Sequence, residues 1–336
     1  MDYLYTMKFL VIRFSSIGDI VLTTPAIRCL KKQVPNAEVH FLTKKSFKAV
    51  TEANPYIDKF YYYDDNLGEL IGYLKKEGYN YIIDLHKNFR TAIIKWRLDI
   101  PVLSYHKESF QKWLLTKFGI NRMSGKHISD RCLDALASLG VVNDGWGLDY
   151  SIPTSARIKD SDLPMSHRAG YIAIVIGASY ATKKLPISKL QELCAAIQFP
   201  IILVGGKEDA TEGEAIANID SIRIYNACGK FSLHESADIV RLAKTVISHD
   251  TGLLYIACAL NKKTLAIWGG TSPKLDVEPY YGVHQLQQMH ITTAYKNFVV
   301  DGLACQPCSN YGTKKCPKGH FKCMLEQDIS AIANAI

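Results

Sequence analysis

The stretch Phe9-Leu10-Val11-Ile12-Arg13-Phe14-Ser15-Ser16-Ile17-Gly18-Asp19 decides the fold. Four successive apolar residues with no alternation suit a strand buried on both faces, and such strands belong to parallel sheets. A short polar turn follows, and then a helical pattern over 21–32. The chain opens a second time in the same way. Tyr171-Ile172-Ala173-Ile174-Val175-Ile176 is followed by Gly177-Ala178-Ser179, with a helical pattern from about 186 to 197.

Alternation continues outward from both openings. Residues 38–42 and 81–85 read as strands in the first half; 200–204, 221–225, 246–248 and 264–268 read as strands in the second, with helical stretches between them. Strands alternating with helices predict a doubly wound α/β sheet in each half, two similar α/β domains with a cleft between them. Two domains also suit a length of 336 residues. Residues 151–168 are rich in Pro, Ser and Asp with weak periodicity and read as the interdomain linker. The expected division is 1–155, a linker at 156–168, and 169–336.

Composition excludes several classes. With 48% hydrophobic and 21% charged residues the chain is neither disordered, collagen-like nor a small disulfide scaffold. It has no uncharged apolar window of transmembrane length. The opening MDYLYTMKFLVIRF is broken by Lys8 and Arg13 and has no small-residue cleavage site after it, so no secretory leader is expected. Nine cysteines are an odd number, and Cys29, Cys132, Cys194, Cys228 and Cys258 stand singly in apolar stretches. That pattern fits a reducing cytoplasm.

Candidate chemistry lies at strand ends, where open α/β sheets bind ligands. After the first strand, Ser15-Ser16-Ile17-Gly18-Asp19 has one glycine, which argues against the G-x-G-x-x-G of dinucleotide oxidoreductases and against a P-loop. Asp19 reads either as a helix cap or as a general base. In the second half, Gly177-Ala178-Ser179 with Lys183-Lys184-Leu185-Pro186 places cations just before a helix start, a natural anion site. Ser248-His249-Asp250-Thr251-Gly252 precedes another helix, and Gly269-Gly270-Thr271-Ser272-Pro273 follows the next strand. Three candidate anion loops in one domain suggest a diphosphate-bearing ligand such as a nucleotide sugar. Asp160-Ser161-Asp162 has the D-x-D spacing of some metal-dependent transferases, but it falls in the linker and reads as solvated acid.

Two further features stand apart. Cys305-x2-Cys308-x7-Cys316-x6-Cys323, with His320 nearby, forms a cysteine-rich segment over 305–323. Cys305, Cys308, Cys316 and either Cys323 or His320 are possible ligands of a structural zinc; free thiols or a disulfide are the alternatives. Residues 86–131 hold ten Lys/Arg against three acids, seven of the chain's net charge of +8, with Trp96, Phe110, Trp113 and Phe118 interleaved. No nucleic-acid motif accompanies them. A solvated helical face or a surface for an anionic, membrane-embedded acceptor remain.

Taken in order, 13–26, 81–85, 177–179 with 183–186, and 248–252 resemble glycosyltransferase family 9, the ADP-heptose:lipopolysaccharide heptosyltransferases. The resemblance implies the GT-B fold, two Rossmann-like doubly wound parallel-sheet domains facing a central cleft, with the sugar nucleotide mainly on the C-terminal domain and no cofactor required for catalysis. It implies that Asp19 is the catalytic base, that Lys183 contacts the phosphates, and that Thr251 and Gly252 form the diphosphate-binding helix start. Ser179, Lys184, Asp250 and Thr271 are further donor-side candidates; Ser16, Gly18, His86, Lys87, Asn88 and Arg90 are acceptor-side candidates. Tyr255 and Leu185 depart from the His and Trp common in the family. The implied activity is inverting transfer of heptose from ADP-heptose to the anionic inner core of lipopolysaccharide, at the cytoplasmic face of the inner membrane.

Overall fold

A computed structural model describes residues 6–336. The leader reading above rests in part on residues 1–5, which lie outside the described residues. The chain forms two compact units, Met1–Lys107 with Lys126–Ser151, and Glu108–Gly125 with Ile152–Ile336. Part of the basic stretch, 108–125, therefore packs with the second unit, and the unit boundary falls at 151–152. Expected linker residues Leu163 and His167 are buried within the second unit: Leu163 joins an apolar cluster with Ile239 and Val246, and the His167 ring bonds the carbonyls of Ile201 and Arg223.

The first unit is a five-stranded parallel sheet: β1 (Met7–Ile12), β2 (Ala37–Lys44), β3 (Lys59–Tyr63), β4 (Tyr81–Asp84) and β5 (Val102–Ser104), in the order β3-β2-β1-β4-β5. Its central strand is the opening apolar run, with Phe9, Leu10, Val11 and Ile12 all buried. Phe9 pairs with Val39 on one side and Tyr81 on the other. The helical pattern expected over 21–32 is two helices, Ile17–Val21 and Thr24–Gln33. Pro25 lacks an N–H and opens the second helix. The Thr23 and Thr24 hydroxyls donate to the carbonyls of Ile20 and Val21, each at 2.7 Å, and so satisfy the groups freed at the break. Residues 126–151 return to this unit through Arg28. Its buried guanidinium grips Asp144 through two 2.8 Å bonds and also pairs with Asp149.

The second unit is a six-stranded parallel sheet: β6 (Ile172–Val175), β7 (Ile201–Val204), β8 (Ile224–Asn226), β9 (Thr245–His249), β10 (Lys263–Ile267) and β11 (Tyr295–Phe298), in the order β11-β10-β9-β6-β7-β8. Strand order reverses at β1/β4 in the first unit and at β6/β9 in the second. Those crevices are where open α/β sheets hold ligands. No helix among the described residues is long and apolar enough to cross a membrane.

Candidate active site

In the first unit, the loops after β1 and β4 meet at the switch point. Asp19 sits at the third position of the helix Ile17–Val21, where its Oδ2 accepts from the Ser16 N–H at 3.0 Å and the Ser16 hydroxyl at 2.8 Å. That is a capping box. Its Oδ1 meets the Arg13 guanidinium at 2.6 Å, and the side chain is 29% exposed. Asp19 is thus both part of a helix start and reachable from outside. Arg13 comes from the buried end of the strand run and also donates to the carbonyls of Ser15, at 3.0 Å, and Leu85. Burial works against its charge, but Asp19 and Tyr105 overcome that, and the guanidinium stays charged.

The loop after β4 is built on buried Asp84, which accepts from the N–H groups of His86 (3.1 Å) and Lys87 (2.8 Å) and pairs with Lys95 at 2.8 Å. The Lys107 ammonium donates to the carbonyls of His86 and Lys87. Burial, together with the charges of Arg13 and Lys107, pushes the His86 imidazole down to about 4, so it offers an uncharged ring at neutral pH. The Asn88 side-chain oxygen caps the helix Phe89–Leu98 by accepting from the Thr91 N–H. Lys87 and Arg90 are exposed.

In the second unit, the loops after β6, β9 and β10 converge on Asp250. One of its carboxylate oxygens meets the Lys183 ammonium at 2.7 Å and the Thr271 hydroxyl at 2.8 Å; the other accepts from the Tyr255 hydroxyl at 3.2 Å. Beside this hub, Thr251 and Gly252 begin the helix Gly252–Ala259 and remain partly exposed, and the Thr251 side chain makes no cap bond. Backbone N–H groups at such a start, next to an ammonium, favour an anion. An ammonium has three donor hydrogens, so Lys183 can hold Asp250 and still reach a phosphate oxygen.

Residues 68–299 of the chain match glycosyltransferase family 9 (heptosyltransferase). The chain belongs to glycosyltransferase family 9. Lipopolysaccharide heptosyltransferase 1 of Campylobacter coli is 23% identical over 292 residues, 79% of this chain and 84% of that protein. Among solved structures, the family 9 glycosyltransferase of Veillonella parvula DSM 2008 aligns with a TM-score of 0.74 at 19% identity, covering 98% of this chain and 96% of that one. E. coli ADP-heptose LPS heptosyltransferase II aligns with a TM-score of 0.68 at 17% identity, covering 98% and 99%. The two alignments show the shared GT-B fold.

Against that family, the candidates separate by what they touch. Asp19, Ser16, His86 and Lys87 gather at one switch point, and Lys183, Asp250, Thr251, Gly252 and Thr271 at the other. Lys184 turns away: its ammonium meets Asp209 at 2.8 Å and Glu212 at 2.5 Å. Gly177 permits this, because a Cβ there would lie 2.3 Å from an Asp209 oxygen. Ser179 is exposed on the loop after β6. The Gly269-Gly270 backbone does not face outward as expected of a phosphate loop. It is buried, with the Gly270 carbonyl accepting from the N–H groups of Cys308 and Ser309. The two family departures are also accounted for. The Tyr255 hydroxyl shares its one proton between Asp250 and the nearer Val277 carbonyl, at 2.7 Å, and Leu185 is a core residue. Asp160 and Asp162 are exposed, as a solvated turn requires.

Arg13 and His249 are the roles that sequence reasoning missed. Both lay inside quoted motifs, and the signal was a charged or polar residue at the buried end of an apolar strand. His249 is buried, and its Nε2 accepts from the Leu185 N–H at 2.9 Å, which ties β9 to the Lys183 loop. Burial, and then the Lys184 charge, pushes it down from 6.5 to about 3. The unfolded chain therefore binds the extra proton between those values, and stability falls as pH drops through that window. Going from neutral to about pH 5 should remove about 2 kcal/mol through this one group. His249→Gln offers an oxygen to the same N–H and should lose that much less on acidification, as read by urea unfolding at both pH values. Equal acid sensitivity of the two proteins would show that His249 is not the source.

Proposed function

We propose that the chain is an inverting glycosyltransferase that moves a heptose from ADP-heptose onto the anionic inner core of lipopolysaccharide. The observation that carries this is the second unit's hub. A buried carboxylate aims one lysine and one threonine beside an exposed helix start, a set of groups suited to a diphosphate. The names of the relatives supply the sugar and the nucleotide. Asp19 takes the proton of the acceptor hydroxyl as that oxygen attacks the anomeric carbon. The bond to the diphosphate breaks, and Lys183 and the Thr251–Gly252 amides stabilise the charge that leaves with it. These groups carry the leaving-group role, so the reading calls on no catalytic metal and no cofactor.

The acceptor side is read from charge. Lys87 and Arg90 are exposed beside the Asp19 loop, and Ser16, Gly18, His86 and Asn88 complete the candidate surface. Phe89 and Trp96 are 79% and 75% exposed on the helix Phe89–Leu98 of the first unit. In the second unit the helix Ser109–Phe118 exposes Phe110, Trp113 and Phe118 near Lys112 and Lys117. Aromatics among cations suit an interface with anionic lipid and support work at the cytoplasmic face of the inner membrane.

Thermal denaturation with a panel of nucleotide sugars tests the donor reading. ADP-heptose should raise Tm, by about 3 kcal/mol of linkage at a hundred-fold excess over Kd, while UDP- and GDP-sugars should leave it unchanged. A shift with UDP- or GDP-sugars alone would transfer the chain to another donor within the family.

A further inference from the structure

Residues 303–325 are unlike the rest of the chain. They contain four cysteines, four lysines (Lys314, Lys315, Lys318 and Lys322) and no Asp or Glu. All nine cysteines are free thiols, but the other five lie buried and singly. Here Cys305, Cys308, Cys316 and Cys323 line one pocket together with His320. Cys323 also packs in the unit's apolar core, but Cys305, Cys308 and Cys316 are only partly buried, and gathering four thiols is what a metal site requires.

The turn at Cys316 and the ring of His320 shape the pocket. Cys316-Pro317-Lys318-Gly319-His320 makes a tight turn, with Gly319 at φ +74° and its N–H donating to the Cys316 carbonyl at 3.1 Å. His320 Nδ1 accepts from the Lys322 N–H at 3.1 Å, so the ring proton sits on Nε2, 3.7 Å from the Cys305 sulfur. His320 is thereby placed to donate to a thiolate and not to ligate a metal itself.

We propose that Cys305, Cys308, Cys316 and Cys323 bind one Zn²⁺ as a tetrahedral four-thiolate site, with His320 hydrogen-bonded to the Cys305 sulfur outside the coordination sphere. Four thiol protons leave to solvent as the ion binds. The resulting cluster carries two negative charges, which the four lysines offset. The donor atoms are spread more widely than in Glu38, His40 and Glu77, which lie within 4.8 Å of one another, so binding draws the segment inward. The Glu38–His40–Glu77 group is a weaker metal candidate, because Lys8 and Lys59 already pair with its carboxylates.

The ion would act as a staple. The segment's Thr313 exchanges bonds with Thr182, whose N–H donates to the Thr313 carbonyl (3.2 Å) and whose hydroxyl accepts from the Thr313 N–H (2.7 Å). Cys308 and Gln306 hold the Gly269-Gly270 backbone. Fixing the four sulfurs therefore fixes the loops that present Lys183 and Thr271. This consequence rests on the donor-site reading above; the metal site itself does not.

Elemental analysis of untagged full-length protein, purified under reducing conditions without chelator, tests the site. About one zinc per chain is expected. The stripped wild-type protein should take up Co²⁺ with the strong visible bands of tetrahedral cobalt thiolate, and Zn²⁺ should displace them. Cys316→Ser should lose both signals, and Cys132→Ser, in the first unit, should keep both. A wild-type chain with neither zinc nor cobalt bands overturns the proposal, as does stoichiometric metal retained in Cys316→Ser. Stoichiometric iron in place of zinc overturns the choice of ion. A zinc-loaded chain without transferase activity would refute the functional reading alone, and an active chain without metal would refute only the site.

Discussion

Asp19→Asn is expected to lower the rate of sugar transfer by about 10² to 10⁴-fold, the usual contribution of a positioned general base. The substitution keeps the shape of the side chain. Its remaining oxygen can still accept from the Ser16 N–H, so the helix start at Ile17–Val21 should survive. What is lost is the charge facing Arg13, 2.6 Å away, and the ability to take a proton. Two roles compete for this residue. If the Asp19–Arg13 pair only supports the fold, the variant should lose stability while turnover per folded molecule stays near normal. If Asp19 is the base, kcat should collapse while the Tm rise with ADP-heptose remains. Measuring kcat and the ligand-induced shift on the same preparation separates the two, and near-normal kcat would remove Asp19 from the chemistry.

Lys183→Met is expected to cost about 10² to 10³-fold in kcat, as when one donor to a developing anion is removed. It also leaves Asp250 with hydroxyl partners alone in a nearly buried position, at a cost of about 3–5 kcal/mol. The double variant Lys183→Met with Asp250→Asn resolves the two effects. It removes the stranded charge, so stability should return toward that of the wild type. Activity should stay low if Lys183 touches the phosphates. Activity that returns with stability would make Lys183 a structural partner of Asp250 and nothing more.

The centres of both sheets were legible in the sequence, and the edges were not. β1, β4, β6, β7, β9 and β10 have neighbours on both sides, and each shows a continuous apolar run or most of one. β3, β5 and β11 carry no such run and went unread. All three are edge strands with few buried residues, so the sheet places little demand on their composition. β8, the remaining edge, begins at Ile224, where a strand was expected from 221.

The candidate site divides in the same way. Asp19, Lys183 and Thr251 were legible because they stand in motifs at strand ends. Their partners were less so. Nothing in Lys183-Lys184 says which lysine faces Asp250 and which turns to Asp209. That choice is made by the close approach that Gly177 allows, a long-range fit without a local signature. The burial of Gly269-Gly270 beneath residues 306–309 has the same origin.

The bonds between Thr182 and Thr313 also bear on how the protein is made. They join positions 131 residues apart. β11, the last strand of the second sheet, ends at Phe298, so the whole sheet emerges from the ribosome before Thr313 does. Met324, Ile329 and Ile332, which close the apolar cluster beneath β6, β7 and β9, come later still, so a chain cut short before Thr313 lacks both part of its core and the partner of the Lys183 loop. The Lys183 loop is thus braced only when synthesis is nearly complete, and core closure and the setting of that loop are finished by the same last stretch of chain.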